Sequence, residues 1–221
     1  MPIVFFGLRP SELIFLFHEY IEAGWIRVPC NPALAYRTKG KRDKRIPLIE
    51  PIAKLLQPEP HAQGLLFTRR SIFEGQENPP PLGASQTHLA DVLEQQLRGH
   101  TGALERQRIR DRLLKAAGAI TYDQVEDEFR KLAKKLDWGS QATLKDFRHM
   151  FASSLANAGM PEPYRQYLMG HATSSATIAA YTHLNKVGEQ YLLVADREWP
   201  SLLAVLHDKL RVPQLRRSGS A

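Results

Sequence analysis

The stretch QENPPPLGAS, residues 76–85, constrains this chain more than any other. Three consecutive prolines remove backbone donors and fix φ, so the segment cannot sit inside a helix or a central strand. It must be a loop, and it splits the sequence in two. Ahead of it lie three short segments rich in β-formers: GWIRV, LAYRTK and KRIPLIE. The last two flank GKRD, which reads as a hairpin turn. A helical pattern precedes them in SELIFLFHEYI, with Leu13, Ile14, Leu16, Phe17 and Ile21 on its apolar positions and Pro10 or Ser11 to start it. PLIEPIAKLLQ reads as a short helix packing on the sheet. Behind the loop every pattern is helical. Two polar helices are expected over about 87–98 and 103–117. TYDQVEDEFRKLAKKL is amphipathic, with Thr121 as N-cap and Val125, Phe129, Leu132 and Leu136 on one side. LKDFRHMFASSLANAG closes at Gly159, and EPYRQYLMG closes at Gly170. The sum is an α+β, mainly α domain with one small sheet and no internal repeat. RVPQLRRSGSA, the tail over 211–221, is expected to be disordered.

Composition narrows the partner. Hydrophobic content of 43% permits a real core in 221 residues, and the formal net charge is +7. A basic balance suits a polyanionic partner, although it also merely aids solubility. Cys30 is the only cysteine, which rules out an intrachain disulfide and a cysteine zinc cluster, and fits a reducing, intracellular setting. It reads as a packed small residue. No run is long enough for a membrane span, and MPIVFFGLRP lacks the basic start of a signal peptide.

A phosphodiester exchange without metal needs a nucleophile, cationic donors around the non-bridging oxygens, and an acid for the departing sugar oxygen. Arginine suits the clamp because its planar fork gives parallel bonds to phosphate and stays charged. FFGLRPSEL, TKGKRDKRIPL, LKDFRHMFASSLANAG, LMGH and AAYTHL, in this order, resemble the tyrosine recombinase (phage integrase) family. The resemblance covers most of the chain, interrupted around residues 75–119 by a charged helical insertion. It implies the family's catalytic domain over 1–210, with a three-stranded antiparallel sheet on one edge.

The resemblance also implies the site. Arg9 and Arg148 grip the scissile phosphate, and Tyr181 attacks it to give a 3′-phosphotyrosine. Lys39 protonates the leaving 5′ oxygen, His171 hydrogen-bonds the phosphate, and Glu12 buttresses Arg9. Lys145 stands where the family usually has histidine, and Tyr181 follows His171 by ten positions where nine is commoner. The basic run Arg37, Lys39, Lys41, Arg42, Lys44 and Arg45 supplies further DNA contacts, with Lys41, Arg42, Lys44 and Arg45 as the DNA-binding set. Taken singly, Tyr164 and Tyr167 read as core, His149 as a packed or supporting residue, and His18 and His183 as surface or packing residues. The arginines and lysine of ALERQRIRDRLLK read as a solvated face.

The implied function is site-specific cleavage and rejoining of double-stranded DNA in integration or excision of a mobile element. It needs no metal and no cofactor, and would act in the bacterial cytoplasm, at the nucleoid. A DNA-binding remnant that cannot cleave is the alternative. A DNA-relaxing enzyme with the same chemistry comes third. Arg9 lies close to the start, so the chain is expected to be a truncated member lacking the helices and core-binding domain that precede that arginine. EQYLLVADREWPSLLAVL carries too many apolar residues for a free tail; self-association on DNA is expected there, with docking on its own domain as the competing outcome.

Overall fold

The computed structural model describes residues 5–41, 43–56, 62–171 and 184–211. Tyr181, His183, Arg42 and the tail beyond 211 lie outside the described residues. A single helical turn, α1 (Pro10–Leu13), leads into strand β1 (Ile21–Glu22), which pairs antiparallel with β2 (Trp25–Val28). β2 pairs antiparallel with β3 (Lys44–Pro47) in the register Val28↔Lys44 to Trp25↔Pro47. The sheet order is β1-β2-β3.

Two expectations about the front half needed correction. The helix expected through SELIFLFHEYI ends at Leu13. Leu13, Phe15, Leu16 and Phe17 are all buried, and burying such a run needs more than one helical face. The chain therefore unwinds, and Phe17 bridges to Leu65. LAYRTK is not a strand either. Asn31 accepts from the backbone N–H of Leu34 and starts the short 3-10 turn Pro32–Leu34, and Ala35 adopts φ 49°. Asn31 and Tyr36 then exchange backbone hydrogen bonds at 2.9 Å each way. The third strand is β1, too short to carry a period-2 signal.

The remaining helices are α2 (Glu50–Leu56), α3 (Arg70–Phe73), α4 (Gln86–Leu97), α5 (Ala103–Ala116), α6 (Tyr122–Lys135), α7 (Leu144–Asn157), α8 (Glu162–Met169), α9 (Leu184–Glu198) and α10 (Pro200–Arg211). Thr121 caps α6 as its sequence requires, accepting from Gln124 N–H at 3.2 Å.

The 75–119 segment closes at its base, where Arg69 N–H donates to Gly118 C=O at 2.9 Å and Ile120 N–H to Phe67 C=O at 3.2 Å. It does not stand apart from the body. Leu89, Leu93, Leu97, Ile109, Leu113 and Leu114 join the main core, and α4 packs on the Pro32–Leu34 turn. Arg110 in α5 donates to Ala35 C=O at 2.9 Å and lies 5.2 Å above the Phe15 ring.

An aromatic cluster ties the two ends of the fold together. Tyr191 in α9 donates to Phe5 C=O at 2.5 Å, and Trp199 packs on Phe5, Phe151 and Tyr191 at 5.5, 5.9 and 5.7 Å between ring centres. α9 packs on α7 and β3, and α10 packs on α2 of the same chain. Leu206 is buried there, while Leu192, Leu193 and Val205 stay exposed. Among the described residues no helix is long and apolar enough to cross a membrane.

Candidate active site

Arg148 lies on α7, whose start is fixed by Thr143 N–H donating to Asp146 at 2.6 Å. Its guanidinium donates to two backbone carbonyls, Gly7 C=O and Met169 C=O. One comes from the N-terminal segment and the other from the end of α8, so the arginine joins three separate parts of the chain. Both carbonyls depend on glycine. Gly7 has φ +55°, and a Cβ there would lie 2.3 Å from the buried Phe151 ring. Only a residue without Cβ fits both the backbone angle and the space. Gly170 caps α8 at φ 63°, the left-handed turn that ends a helix. Burial and the nearby Arg9 charge push the Arg148 guanidinium down to about 10, with Glu12 opposing. It stays protonated at neutral pH.

Arg9 begins α1 and shares Glu12 with a second cation. Its backbone N–H donates to Glu12 Oε2 at 2.9 Å, and its Nη1 donates to Oε1 at 3.0 Å. Lys44 Nζ donates to the same Oε2 at 3.1 Å. Burial disfavours the Glu12 carboxylate, but the Lys44 ammonium, the Arg9 N–H and the Arg9 charge together outweigh it and hold the group below its ordinary range. Burial pushes Lys44 down to about 8; Glu12 opposes this, and Arg148 and Arg9 add to it.

This position overturns one expectation. Lys44, assigned to the DNA-facing surface, is only 4% exposed. The cause is the pleat of β3: Lys44 and Ile46 face inward while Arg45 faces out. The alternation was present in KRIP, but a lysine at an inward position hid it. Lys41 and Arg45 are exposed as expected. Tyr167 is buried, and its hydroxyl accepts from Arg45 N–H at 3.0 Å, which holds β3 against α8.

Arg9, Lys39, Lys145, Arg148 and His171 all line one open cleft of about 1210 Å³, with His149 beside them. Lys39 and Lys145 are exposed and extend the cationic lining outward. His171 N–H donates to Gln166 C=O at 2.9 Å, which fixes the turn after α8. Partial burial, then the charges of Arg148, Arg9 and Lys44, push its imidazole below the ordinary histidine range. It is therefore neutral at physiological pH, able to donate from one nitrogen and accept at the other. Arg9, Lys44 and His171 also border a small cavity of about 30 Å³ on the inner side of the cleft. Among the described residues no group of three His, Cys, Asp or Glu side chains is placed to hold a metal ion. Such a lining suits a phosphate diester: fixed cations for its oxygens and a neutral imidazole for hydrogen bonding.

Gly7, the Met169 carbonyl and the inward Lys44 were not picked out from sequence, and Gly170 was read only as a helix end. The two glycines were visible, but only the contacts of Arg148 give them a purpose. A profile described as the phage integrase family matches residues 3–187. Neither the search of curated proteins nor that of solved structures returned a match.

Proposed function

The chain belongs to the phage integrase family, the tyrosine recombinases, and from that premise we propose that it cleaves and rejoins DNA strands site-specifically in the integration or excision of a mobile element. The observation that carries this reading is the convergence of Arg9, Lys39, Lys145, Arg148 and His171, from four separate segments, on one cleft.

The roles follow from the chemistry of each group. Arg9 and Arg148 neutralise the scissile phosphate, and His171 hydrogen-bonds a non-bridging oxygen. The Tyr181 oxygen forms a bond to phosphorus as the bond from phosphorus to the 5′ oxygen breaks. Lys39 passes its proton to that 5′ oxygen, and Lys145 adds positive charge at the rim. Energy stays in the 3′-phosphotyrosyl bond, so attack by a 5′ hydroxyl reverses the step and seals the strand without a nucleotide cofactor. The exposed Lys41 and Arg45, together with Arg42, take neighbouring phosphates. Exposed Leu192, Leu193 and Val205 on α9 and α10 supply the surface through which copies associate on DNA.

The test is a suicide substrate carrying a nick, which traps the covalent protein–DNA adduct. The wild-type chain should give the adduct in excess EDTA. Tyr181→Phe should give none while still shifting the duplex. A shift without adduct from the wild type would identify a binding remnant, and an adduct mapping to Tyr164 or Tyr167 would refute the assignment of the nucleophile.

A further inference from the structure

Among the described cations of the hairpin, Lys44 alone is buried. It is 4% exposed, and its Nζ meets Glu12, itself 1% exposed, at 3.1 Å. A buried ion pair is a poor source of stability, because desolvating both charges offsets most of their attraction. What this one supplies is direction. Glu12 Oε2 is held by Lys44 Nζ and by the Arg9 backbone N–H, so Oε1 is left to meet Arg9 Nη1. The carboxylate thus takes one hydrogen bond from the guanidinium. Freed from Lys44, it can swing to the paired, two-bond contact that carboxylates favour with arginine. That contact would turn further guanidinium donors away from the cleft.

The stem of Lys44 does a second job. Its Cδ lies 3.5 Å from where a Gly170 side chain would begin, directly before His171. The same hairpin approaches this turn through Gly40, where a Cβ would lie 2.8 Å from the Gly170 carbonyl oxygen. One side chain therefore holds the support of Arg9 and lies beside the turn that carries His171.

We propose that Lys44 is a positioning residue, one that holds Glu12 in a single-bond contact with Arg9 and so keeps the Arg9 guanidinium presented to a DNA phosphate. The inference rests on the recombinase reading for what Arg9 does, but not for the contact itself. The charged and titratable groups facing the pair are Arg9 and Glu12 from α1, Tyr36 from the segment before the hairpin, Arg148 from α7, Tyr167 and His171 from α8 and its turn, and Asp43 from the hairpin. The ammonium is held at neutral pH and lost as the pH passes about 8. His171 is pushed toward lower pH, so its own titration falls on the other side of neutrality.

Two measurements on the full chain test this. In the first, lysine and arginine side chains labelled with ¹⁵N are followed by NMR without DNA from about pH 6.5 to about pH 9.5, which brackets the Lys44 midpoint of about 8. The Lys44 resonance should titrate near 8, and the Arg9 guanidinium resonance should move with the same midpoint. In Lys44→Arg the Arg9 signal should stay in its neutral-pH position throughout. An Arg9 signal that ignores the Lys44 titration, or that keeps its wild-type position in Lys44→Met at neutral pH, overturns the proposal.

The second measurement is affinity for a short duplex DNA at fixed salt. Wild-type affinity should fall about tenfold through pH 8, as for loss of one charged hydrogen bond. Lys44→Arg should be flat, and Lys44→Met should sit at the alkaline level at every pH. In an Arg9→Ala background, Lys44→Met should add nothing, since Lys44 acts through Arg9; additive losses would mean that Lys44 meets DNA itself and would sink the idea. Failure to form the covalent adduct, with the NMR coupling intact, counts against the recombinase reading and leaves this one standing. If Lys44→Met does not fold, Lys44→Arg and the wild-type titration still decide.

Discussion

Gly7 carries more of the site than its size suggests. Its positive φ and its closeness to Phe151 let its carbonyl reach Arg148. Gly7→Ala should cost about 2–4 kcal/mol, combining a strained backbone with overpacking, read as a lower urea midpoint. Adduct formation should fall with it even below the melting point, because Arg148 loses one of its two carbonyl partners. Lys44 gives a prediction of the opposite kind. Its folded value of about 8 lies below the ordinary lysine value of 10.5. Between those values the unfolded chain binds more protons, so stability rises with pH there, by up to roughly 3 kcal/mol. Urea midpoints of wild type should therefore gain on those of Lys44→Arg from pH 8 upward, in the same range where DNA grip weakens. Glu12 works in the usual carboxylate sense: its depressed value adds stability above the ordinary range, lost as pH falls through the folded value. Arg9, Arg148 and His171 were legible because their residue types and order carry a chemistry. Lys44 was not, since a strand position decides whether a lysine is a surface contact or a buried prop.

At the scale of elements, the back half was legible and the front half was not. α4 to α8 follow sequence periodicity and caps, because each buries one stripe and signals its own ends. The region before the proline loop buries several consecutive residues and pairs a two-residue strand, so tertiary contacts decide its shape. α5 shows a finer miss. Its charge run read as a solvated face, which holds for Arg108 and Arg112. Arg110 instead clamps Ala35 C=O and covers Phe15. Arg110→Ala should lower stability by about 1–2 kcal/mol, while Arg108→Ala and Arg112→Ala should leave the urea midpoint nearly unchanged. The hairpin makes its own prediction. Lys39→Ala should slow cleavage of ordinary DNA by about 10²–10⁴-fold, the usual weight of an acid catalyst. A 5′-bridging sulfur leaves without protonation, so that substrate should recover most of the rate. Rescue of Lys41→Ala in place of Lys39→Ala would shift the acid along the hairpin.

For the whole molecule, α9 and α10 belong to the body. Val187, Tyr191, Val194 and Trp199 are buried in the common core, so a chain ending near Asn185 should fail to fold and cannot report on association. The informative variant is Leu192→Glu with Leu193→Glu, since both side chains are exposed. Sedimentation on DNA should give a lower protein-to-DNA ratio than wild type; an unchanged ratio would mean that α9 and α10 serve only their own domain. DNA affinity of the chain should fall steeply with salt, with a log–log slope near −0.9 for each phosphate neutralised, because Arg9, Lys39, Lys145 and Arg148 line the cleft as fixed cations.

The seat of Arg148 has a consequence for how such a protein is made. Its two carbonyl partners lie 141 positions earlier and 21 positions later in the chain. The segment carrying the earlier one is itself pinned by Tyr191, 186 positions from Phe5. A ribosome delivers these partners at different times, and a domain folds as a unit once its last contacts emerge. Until α9 has left the exit tunnel, the cationic cleft has no fixed form, so a half-made chain holds the cations of the cleft without the arrangement that makes them one site.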